Sequence, residues 1–531
     1  MRINLFVIIQ FLITVSAVAQ PAMKSDTVTD LSLKWQNLSL KNPWLLTANA
    51  AGLKGGAVPA IGTTFVGTYQ EVGDFRRPQE ASSKSYYTFH SERYQPVKKG
   101  VFYGSFRFEQ QKENGIHWND LLDPYRGTPY ILADSLGGDW KKQVYKLNLK
   151  AASAQIADRL ALGAGLVYNL STGARQNDPR PLNYVNELDF KPSLLFEINK
   201  KHSAGLTGTY GFYKEEVSLM NNKSELLQKV FKLKGLAVHD APALFSNSFT
   251  RLYDGKKKGA DVQYAWSQSG SSDLKWLTSL GWEDYSEDVR DGVTKPTNGG
   301  KFNQTTYHLT STLQRSNSGW MQQLQISFLK KEGKGREYHQ TYDPVSTVWI
   351  TTFEAIFYTS EATRADISWE LVKQAEYDGF NWKVKASAGY NKYGAQYLYT
   401  APVSQNLETA NMRLDGQKAW SLKSRNSILL SINAGYQFPL TNGLDYTLKQ
   451  GSANQAINKI LLPDHAYLAA SAVKAGLAIQ YTFASNKPDA KFHNQFYIKG
   501  SGEIAAIQKS ETAYKQTGNR QNFALTIGAF Y

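Results

Sequence analysis

Segments in which apolar and polar side chains alternate recur from residue 61 to the end of this chain. In one of them Trp382 and Val384 share a face, and the opposite face carries Lys383 and Lys385. Successive side chains of a strand point to opposite faces of a sheet, so each segment has one apolar and one polar face. A face that carries lysines cannot point into lipid and has to line an enclosed aqueous interior. The pattern predicts an all-β fold, a transmembrane antiparallel β-barrel.

The connections between these segments give a strand count and an orientation. About eighteen segments, within a range of roughly sixteen to twenty, fit between the turn signals. The connections after every second segment are short, whereas those at 112–138, 220–250, 287–299 and 439–463 are longer. Short periplasmic turns and long extracellular loops alternate in this way in outer-membrane barrels. A secreted all-β sandwich or adhesin is the alternative, but it does not explain this alternation.

One connection at the long-loop side, 343–345, is short, and the segments beside it are unusually long. This combination predicts a hairpin that rises above the membrane.

The last alternating segment ends on an aromatic residue. Its apolar face carries Phe523, Leu525, Ile527 and Tyr531. The segment resembles the C-terminal signal that the barrel-insertion machinery reads in outer-membrane proteins. The resemblance implies that this strand closes the barrel against the first one.

The first nineteen residues have the parts of a secretory signal peptide. A basic start is followed by a short apolar core over Leu5–Val15 and by an Ala-x-Ala site that ends at Ala19. The core is too short for a membrane-spanning helix, and a buried N-terminal strand is the alternative reading. The chain contains no cysteine, which excludes a lipid anchor, disulfides and thiolate metal sites. We therefore predict a signal peptide at 1–19, an N-terminal segment at 20–60 and an outer-membrane barrel at 61–531.

The N-terminal segment contains no good strand. Asn42-Pro43-Trp44 and Asn49-Ala50-Ala51-Gly52-Leu53 resemble the Asn-Pro-Ala-Gly-Leu sequences of fatty-acid-transporter-like and other Bacteroidota-type barrels, although Ala50 stands where those sequences have proline. The resemblance implies a segment that is periplasmic or that lines the lumen. About forty residues are too few for a plug domain of the TonB-dependent kind.

The net charge of +15 has three readings. It is compatible with nucleic-acid binding, with basic loops that meet anionic lipids, and with a lumen that favours anions. For an exported barrel we expect one of the last two and no nucleic-acid partner. The residues that we predict to line the lumen are Lys383, Lys385, Lys491, His493 and Lys499.

No pattern in the sequence indicates chemistry. The eight histidines lack metal-ligand spacing, and no phosphate-binding loop stands between a strand and a helix. Serines are so frequent that a Ser and His pairing in the sequence carries no weight. We predict no catalytic residues, no cofactor and no metal site, and therefore a protein that is not an enzyme.

Two long loops carry apolar residues. The first contains Tyr125, Arg126 and Tyr130 in a stretch too apolar for free solution, which predicts either a constriction inside the lumen or a partner contact. In the second, Leu226, Val230 and Phe231 lie at helical spacing within residues 225–234. This spacing predicts an amphipathic helix that packs on other loops, docks a surface lipoprotein or plugs the barrel.

The chain from residue 61 onward resembles the large outer-membrane barrels of Bacteroidota-type bacteria. The resemblance implies a barrel in the cell outer membrane that contacts its lipids and is inserted by the assembly machinery. Our leading prediction is a transport component, a passive or gated pore for a hydrophilic solute, with an anion as one option. The alternative is a sealed scaffold barrel that partners surface lipoproteins or a secretion or import complex.

Overall fold

A computed structural model describes residues 30–223, 225–269, 273–375, 379–399, 402–422, 426–447, 453–484, 494–510 and 512–531. The predicted signal peptide and the predicted lumen residues Lys491 and His493 lie outside these ranges.

Strands dominate the described chain. In chain order they are β1 (Ile61–Gly73), β2 (Ser83–Val97), β3 (Gly100–Ile116), β4 (Tyr130–Ala133), β5 (Gly138–Ser153), β6 (Leu160–Arg175), β7 (Arg180–Glu197), β8 (His202–Met220), β9 (Gln228–Lys234), β10 (Ala243–Phe245), β11 (Ser248–Gln268), β12 (Asp273–Asp291), β13 (Thr297–Asn317), β14 (Trp320–Asp343), β15 (Val348–Gln374), β16 (Phe380–Tyr397), β17 (Val403–Ser421), β18 (Ser427–Tyr446), β19 (Ala470–Ala484), β20 (Gln495–Ser510) and β21 (Asn519–Phe530). Strands β4, β9 and β10 form a separate three-stranded sheet, and the other eighteen form one sheet.

The large sheet is closed. Each of its strands pairs antiparallel with its neighbours along the chain, and β21 pairs with β1 so that Ile527 lies opposite Val66. At the seam, the Gly62 N–H donates to the Tyr531 carbonyl at 2.7 Å. The prediction of a transmembrane antiparallel barrel of about eighteen strands is confirmed.

The alternation along β21 follows the two faces of this barrel. Phe523, Leu525 and Ile527 are 53%, 48% and 52% exposed on the outer surface, whereas Thr526 between them is 7% exposed. The apolar face therefore points to lipid and the other face points into the barrel.

The two ends of the barrel differ. One end, the short-turn end, carries connections such as 98–99, 198–201 and 318–319. The other, the long-loop end, carries the connections 117–137, 221–247 and 447–469.

The hairpin of β14 and β15 projects from the long-loop end, as the sequence predicts. Among the described residues, β14 pairs with β13 only as far as Arg336, and β15 pairs with β16 only from Tyr358 onward. Beyond these residues the two strands pair with each other up to Asp343 and Val348.

The helical elements lie in two parts of the chain. Short helices at Leu31–Gln36 and Leu38–Lys41 and single turns at Pro43–Leu46 and Ala51–Lys54 precede β1. Helical turns also cover Ala453–Ala456, Ile457–Leu461 and Leu462–Leu468 in the connection between β18 and β19. No helix within the described ranges has the length and apolar content to cross a membrane.

The amphipathic helix predicted over residues 225–234 is wrong. The chain forms strand β9 there, which pairs with β4 on one side and with β10 on the other. Pairing with two partner segments satisfies the backbone that a helix would have bonded internally. Val230 and Phe231 are buried at 0% and 3% exposure, while Leu226, which precedes the strand, is 59% exposed.

Candidate functional site: the closed lumen

The N-terminal segment, residues 30–60, lies inside the short-turn end. The amide of Asn49 donates to the Leu194 carbonyl at 2.9 Å and to Gln263 at 3.0 Å. The Ala51 N–H donates to the Ser193 hydroxyl at 3.1 Å. Glycine at position 163 allows this approach, because a Cβ there would lie 2.2 Å from the Ala51 nitrogen.

The same segment crosses the opening to the far wall. Leu33 and Leu40 are buried against Met321, Val372 and Phe380 near the ends of β14, β15 and β16. Burial of two leucines against a wall stabilises such a contact by about 3–6 kcal/mol before the entropy of ordering the segment is subtracted.

Polar contacts hold the start of the segment as well. The Leu31 N–H donates to the Gln495 side chain at 2.8 Å, and the Gln480 amide donates to the Ser32 hydroxyl at 2.9 Å. With Asn49 bonded to the β7–β11 side, the segment is attached to opposite parts of the wall. It therefore obstructs the lumen at the short-turn end.

Phe380 reaches this contact because of a bulge. The pairing of β15 with β16 shifts register between Lys373 and Gln374, so that Gln374 lies opposite Phe380. Simple alternation places Phe380 with Trp382 on the outer face, but the extra residue turns Phe380 inward.

Three connections form a cap at the long-loop end. We use the word cap for the 117–137 loop with β4, the 221–247 loop with β9 and β10, and the helical turns 453–468. An apolar cluster joins the three connections to one another and to Val403 of β17. Its cap residues are Trp118, Ala133, Phe231, Leu233, Ala237, Ala456, Ile457, Ile460 and Leu461. A second cluster joins Tyr130, Leu132 and Val230 to inward side chains of the barrel wall.

Arg126 fastens the first loop to the wall. Its guanidinium lies 2.5 Å from a Glu287 oxygen and 3.6 Å from a Glu215 oxygen, and both carboxylates are fully buried. The rings of Tyr213 and Tyr253 lie 4.5 and 4.9 Å from the same guanidinium. Burial acts to lower the pKa of Arg126, but Glu287, Tyr213, Glu215 and Tyr285 together outweigh it and the net shift is upward. The group therefore stays charged.

Tyr130 is the central apolar residue of that loop. It is 1% exposed, and its carbonyl accepts a hydrogen bond from the Tyr253 hydroxyl at 2.8 Å. Its own hydroxyl donates to the Arg336 carbonyl at 2.7 Å. Tyr125, Arg126 and Tyr130 thus all contact side chains or backbone within the barrel.

A buried arginine holds the remainder of the first loop. Arg175 lies 3.2 Å from Asp120 and 2.5 Å from Asp134, and all three side chains are at most 1% exposed. Burial raises the pKa of Asp120, and the neighbouring Asp134 raises it further.

The second loop is held by two lysines of β9. Lys232 lies 2.8 Å from Asp291, which also forms two hydrogen bonds with Arg251 at 2.6 and 2.9 Å. Lys234 lies 2.7 Å from Glu337. The cap is thus joined to the wall by side chains, whereas its backbone pairs are internal to the cap.

The helical turns of the third connection contact a shorter loop. Asp464 accepts two hydrogen bonds from Arg77, each at 2.7 Å, and the Arg77 guanidinium stacks 3.5 Å from the centre of the Tyr125 ring. His465 is 3% exposed between the Gln405 amide at 2.9 Å and the Asn442 carbonyl at 3.1 Å. Burial lowers the pKa of His465, so the ring is neutral.

Two chambers lie beneath the cap. The first has a volume of about 700 Å³, and the described residues contribute seven acidic and six basic side chains to its lining. The second has a volume of about 530 Å³, and its lining has four basic side chains and one acidic one within the described ranges. Tyr125, Arg126, Gln79 and Gln304 line both, so the first loop separates them.

Lys383, Lys385 and Lys499 are the predicted lumen residues that the structure describes. They face the barrel interior but lie outside the linings of the two chambers. Lys383 forms an ion pair with Glu370 at 3.3 Å. Lys385 lies two residues from Lys383 in β16, so both side chains point to the inner face. Lys499 of β20 lies opposite Thr526 of β21, which faces the interior, so Lys499 faces the interior too. No local pattern indicates Arg77, Arg175 or Asp464, because their partners lie far away along the chain.

No group of three or more histidine, aspartate or glutamate side chains within the described ranges is arranged to hold a metal ion.

One protein-family model matches most of the chain. A family model described as a family of unknown function, DUF6850, matches residues 50–531. The chain belongs to the DUF6850 family. The matched region of this DUF6850 protein includes the whole barrel and begins within the part of the N-terminal segment that docks on the wall. The comparison with curated proteins gives no match.

Several solved structures are similar to the DUF6850 protein at low sequence identity. The RagAB peptide transporter has a TM-score of 0.42 at 6% identity, with 90% of this chain and 87% of that chain covered. The outer membrane transporter YddB from Escherichia coli has a TM-score of 0.37 at 8% identity, with 90% and 81% covered. A FadL homologue from Pseudomonas aeruginosa has a TM-score of 0.34 at 12% identity, with 96% and 99% covered. None of the three, at this similarity, informs the solute.

Proposed function

We propose that this DUF6850 protein is an outer-membrane transport barrel, a gated pore for a hydrophilic solute. The observation that carries the proposal is the pair of chambers that the barrel wall surrounds beneath the cap. Charged side chains line both chambers, and a barrel that served only as an anchor would not need such space. Volumes of several hundred Å³ are in the range of small-molecule sites.

The way in which each end is closed supports gating. The N-terminal segment is attached by side chains and by a few hydrogen bonds, and the cap strands pair with one another. Either element can therefore move without breaking a pair of barrel strands, whose ladder is the most stable part of such a protein. A solute passes when both have moved.

An engineered disulfide between the N-terminal segment and the wall tests the gate. The chain has no cysteine, so Ala51→Cys combined with Ser193→Cys introduces a single possible pair, at the site where the Ala51 N–H donates to the Ser193 hydroxyl. In planar lipid bilayers we expect few openings from the oxidised protein and ohmic openings after reduction. The two single-cysteine variants are the controls and should not respond to reductant.

A second candidate is a sealed scaffold barrel for surface lipoproteins or for a secretion or import complex. The buried ion pairs that fasten the cap and the apolar tip of the projecting hairpin favour it, since Val345, Ile350 and Phe353 are 92%, 50% and 52% exposed. Silence in bilayers from the wild type, from the reduced double-cysteine variant and from variants with a loosened cap would favour the scaffold over the pore.

Export and location are part of the proposal. Cleavage after Ala19 would leave Gln20 as the first residue of a protein that the insertion machinery places in the outer membrane. The mass of the mature protein isolated from outer-membrane fractions tests both, because an uncleaved chain or recovery with the soluble fraction contradicts them.

A further inference from the structure

The two chambers differ in how their charges are compensated. In the first chamber Lys257 lies 3.2 Å from Glu187 and 3.1 Å from Asp189, and Lys142 lies 2.6 Å from Glu113. Most of the basic side chains of this chamber form ion pairs, so most of the positive charge is already neutralised.

In the second chamber the acidic side chain is Asp464, and it is already bonded twice to Arg77. Arg126 is likewise paired with Glu287, outside the second chamber's lining. Two lysines remain, Lys331 and Lys474. Among the described residues, no carboxylate lies within ion-pair distance of either of them.

The cross-strand neighbours explain why the two lysines are unpaired. Lys331 of β14 lies opposite Thr306 on one side and Ala362 on the other. Lys474 of β19 lies opposite Gly435 and Ala505. These neighbours are small and uncharged, so they leave room beside each ammonium group and offer it no counter-charge.

The remaining lining is amphipathic and rich in hydrogen-bonding groups. Tyr358, Tyr393, Tyr467, Phe75 and Tyr125 contribute aromatic rings, and Gln79, Gln304, Asn391, Gln405 and Gln437 contribute amides. Rings provide apolar area with a polar edge, and amides donate and accept hydrogen bonds. Such a surface is suited to an organic molecule with several polar groups rather than to a bare inorganic ion.

We infer that the second chamber is a binding site for a small organic anion, one whose carboxylate groups contact Lys331 and Lys474 while its hydroxyl or amide groups contact the side-chain amides. The inference deepens the proposed transport function by naming the chemical class of the solute. An acidic sugar and an acidic peptide share this chemistry, and the experiment has one arm for each.

Equilibrium binding to the full-length protein in detergent tests the site. The probes are digalacturonate with neutral galactobiose, and diglutamate with neutral diglutamine. We expect the anionic member of at least one pair to bind at least about tenfold more tightly than its neutral partner, which corresponds to about 1.4 kcal/mol. The arm that responds identifies the source. Equal affinities within both pairs, or no binding of any probe, overturn the inference.

Variants assign the binding to the two lysines. Lys331→Gln combined with Lys474→Gln should remove most of the preference for the anion, and the corresponding double arginine variant should retain it. Lys330→Gln combined with Lys334→Gln removes the same charge from the opposite face of β14 and should leave binding unchanged. Retained anion preference in the Lys331 and Lys474 variant contradicts the assignment, provided that gel mobility shows a folded barrel.

Bilayer recordings separate this inference from the proposed function. If the barrel conducts but binds no probe, the transport proposal stands and the inferred binding site is wrong. If the barrel binds anions through Lys331 and Lys474 but never conducts, the binding site stands and the transport proposal is wrong.

Discussion

Arg77 and Asp464 lie 387 positions apart in the chain and form two parallel hydrogen bonds, each 2.7 Å long. Arg77 belongs to the loop between β1 and β2, and Asp464 belongs to the helical turns that complete the cap. A bidentate arginine–carboxylate pair fixes orientation as well as distance. The contact therefore joins the β1–β2 loop to the connection between β18 and β19.

We expect Arg77→Ala to loosen the third part of the cap. The substitution leaves the partly buried Asp464 without its partner, at a cost of about 1–3 kcal/mol. More frequent openings in bilayer recordings and faster proteolysis within 447–469 should follow. Asp464→Ala should have a similar effect, and the double variant should cost less than the sum of the two. Additive costs would show that the pair is not coupled.

Arg126 provides a stronger test of how the first loop is held. Arg126→Met leaves two buried carboxylates, Glu215 and Glu287, with no positive partner, which typically costs about 3–5 kcal/mol. Native-state proteolysis within 117–137 should report a correspondingly easier opening.

The charge can be removed from the partners of Arg126 as well. Adding Glu215→Gln and Glu287→Gln to Arg126→Met should restore much of the loss, because amides are cheaper to bury than unpaired carboxylates. If the triple variant is less stable than Arg126→Met, the ion pair is not what holds the loop.

Gly163 tests the closure of the short-turn end. A Cβ at this position meets the Ala51 nitrogen at 2.2 Å, so Gly163→Ala should push the N-terminal segment from the wall. We expect more openings in bilayers and faster protease cleavage within the N-terminal segment. Gly500→Ala is the matched control, because no atom lies within 4 Å of a Cβ there. Equal behaviour of the two variants would contradict the proposed closure.

The barrel strands could be predicted from the sequence because each one carries its own signal. Alternation is a local pattern, and the predicted count of about eighteen segments from residue 61 onward agrees with the eighteen strands of the barrel, which begin with Ile61–Gly73. Where the pattern is interrupted, as at the bulge beside Phe380, simple alternation fails for that side chain.

The cap could not be predicted in the same way. Strand β9 owes its conformation to β4 and β10, and nothing in residues 225–234 indicates that these partners exist. The helical turns at 453–468 have apolar residues at helical spacing, namely Ala456, Ile457, Ile460 and Leu461, but Pro463 reads as a helix breaker. Proline is tolerated there because it lies at the start of a new turn.

The outer face of the barrel makes a prediction about membrane insertion. Leu525 lies near the middle of β21 and is 48% exposed to lipid, so Leu525→Lys should cost about 2–4 kcal/mol of folding free energy in vesicles. Gln521→Lys lies on the same face nearer the long-loop end and should cost about 0–1 kcal/mol. The yield of heat-modifiable barrel in lipid vesicles measures both. Equal yields would contradict a lipid-facing Leu525.

The burial of His465 predicts that the docking of the cap on the barrel depends on pH. Its neutral ring accepts a hydrogen bond from Gln405 and donates one to Asn442, and burial lowers its pKa from the usual value of 6.5. Because the folded pKa lies below the unfolded one, the docked ring contributes fully above about pH 6.5, and the contribution is lost as the pH falls through the folded pKa. Asp464 and Arg77 face this element as well and form an ion pair at 2.7 Å.

Conductance and proteolysis within 447–469 should therefore rise as the pH is lowered from about 8 to about 5. His465→Gln supplies an amide that can make both hydrogen bonds without titrating, so its cap should respond less to pH than that of the wild type. A wild-type cap that is equally protease-resistant at both ends of the interval would contradict the role of His465. If His465→Gln responds to pH as the wild type does, the pH response arises from another titratable group.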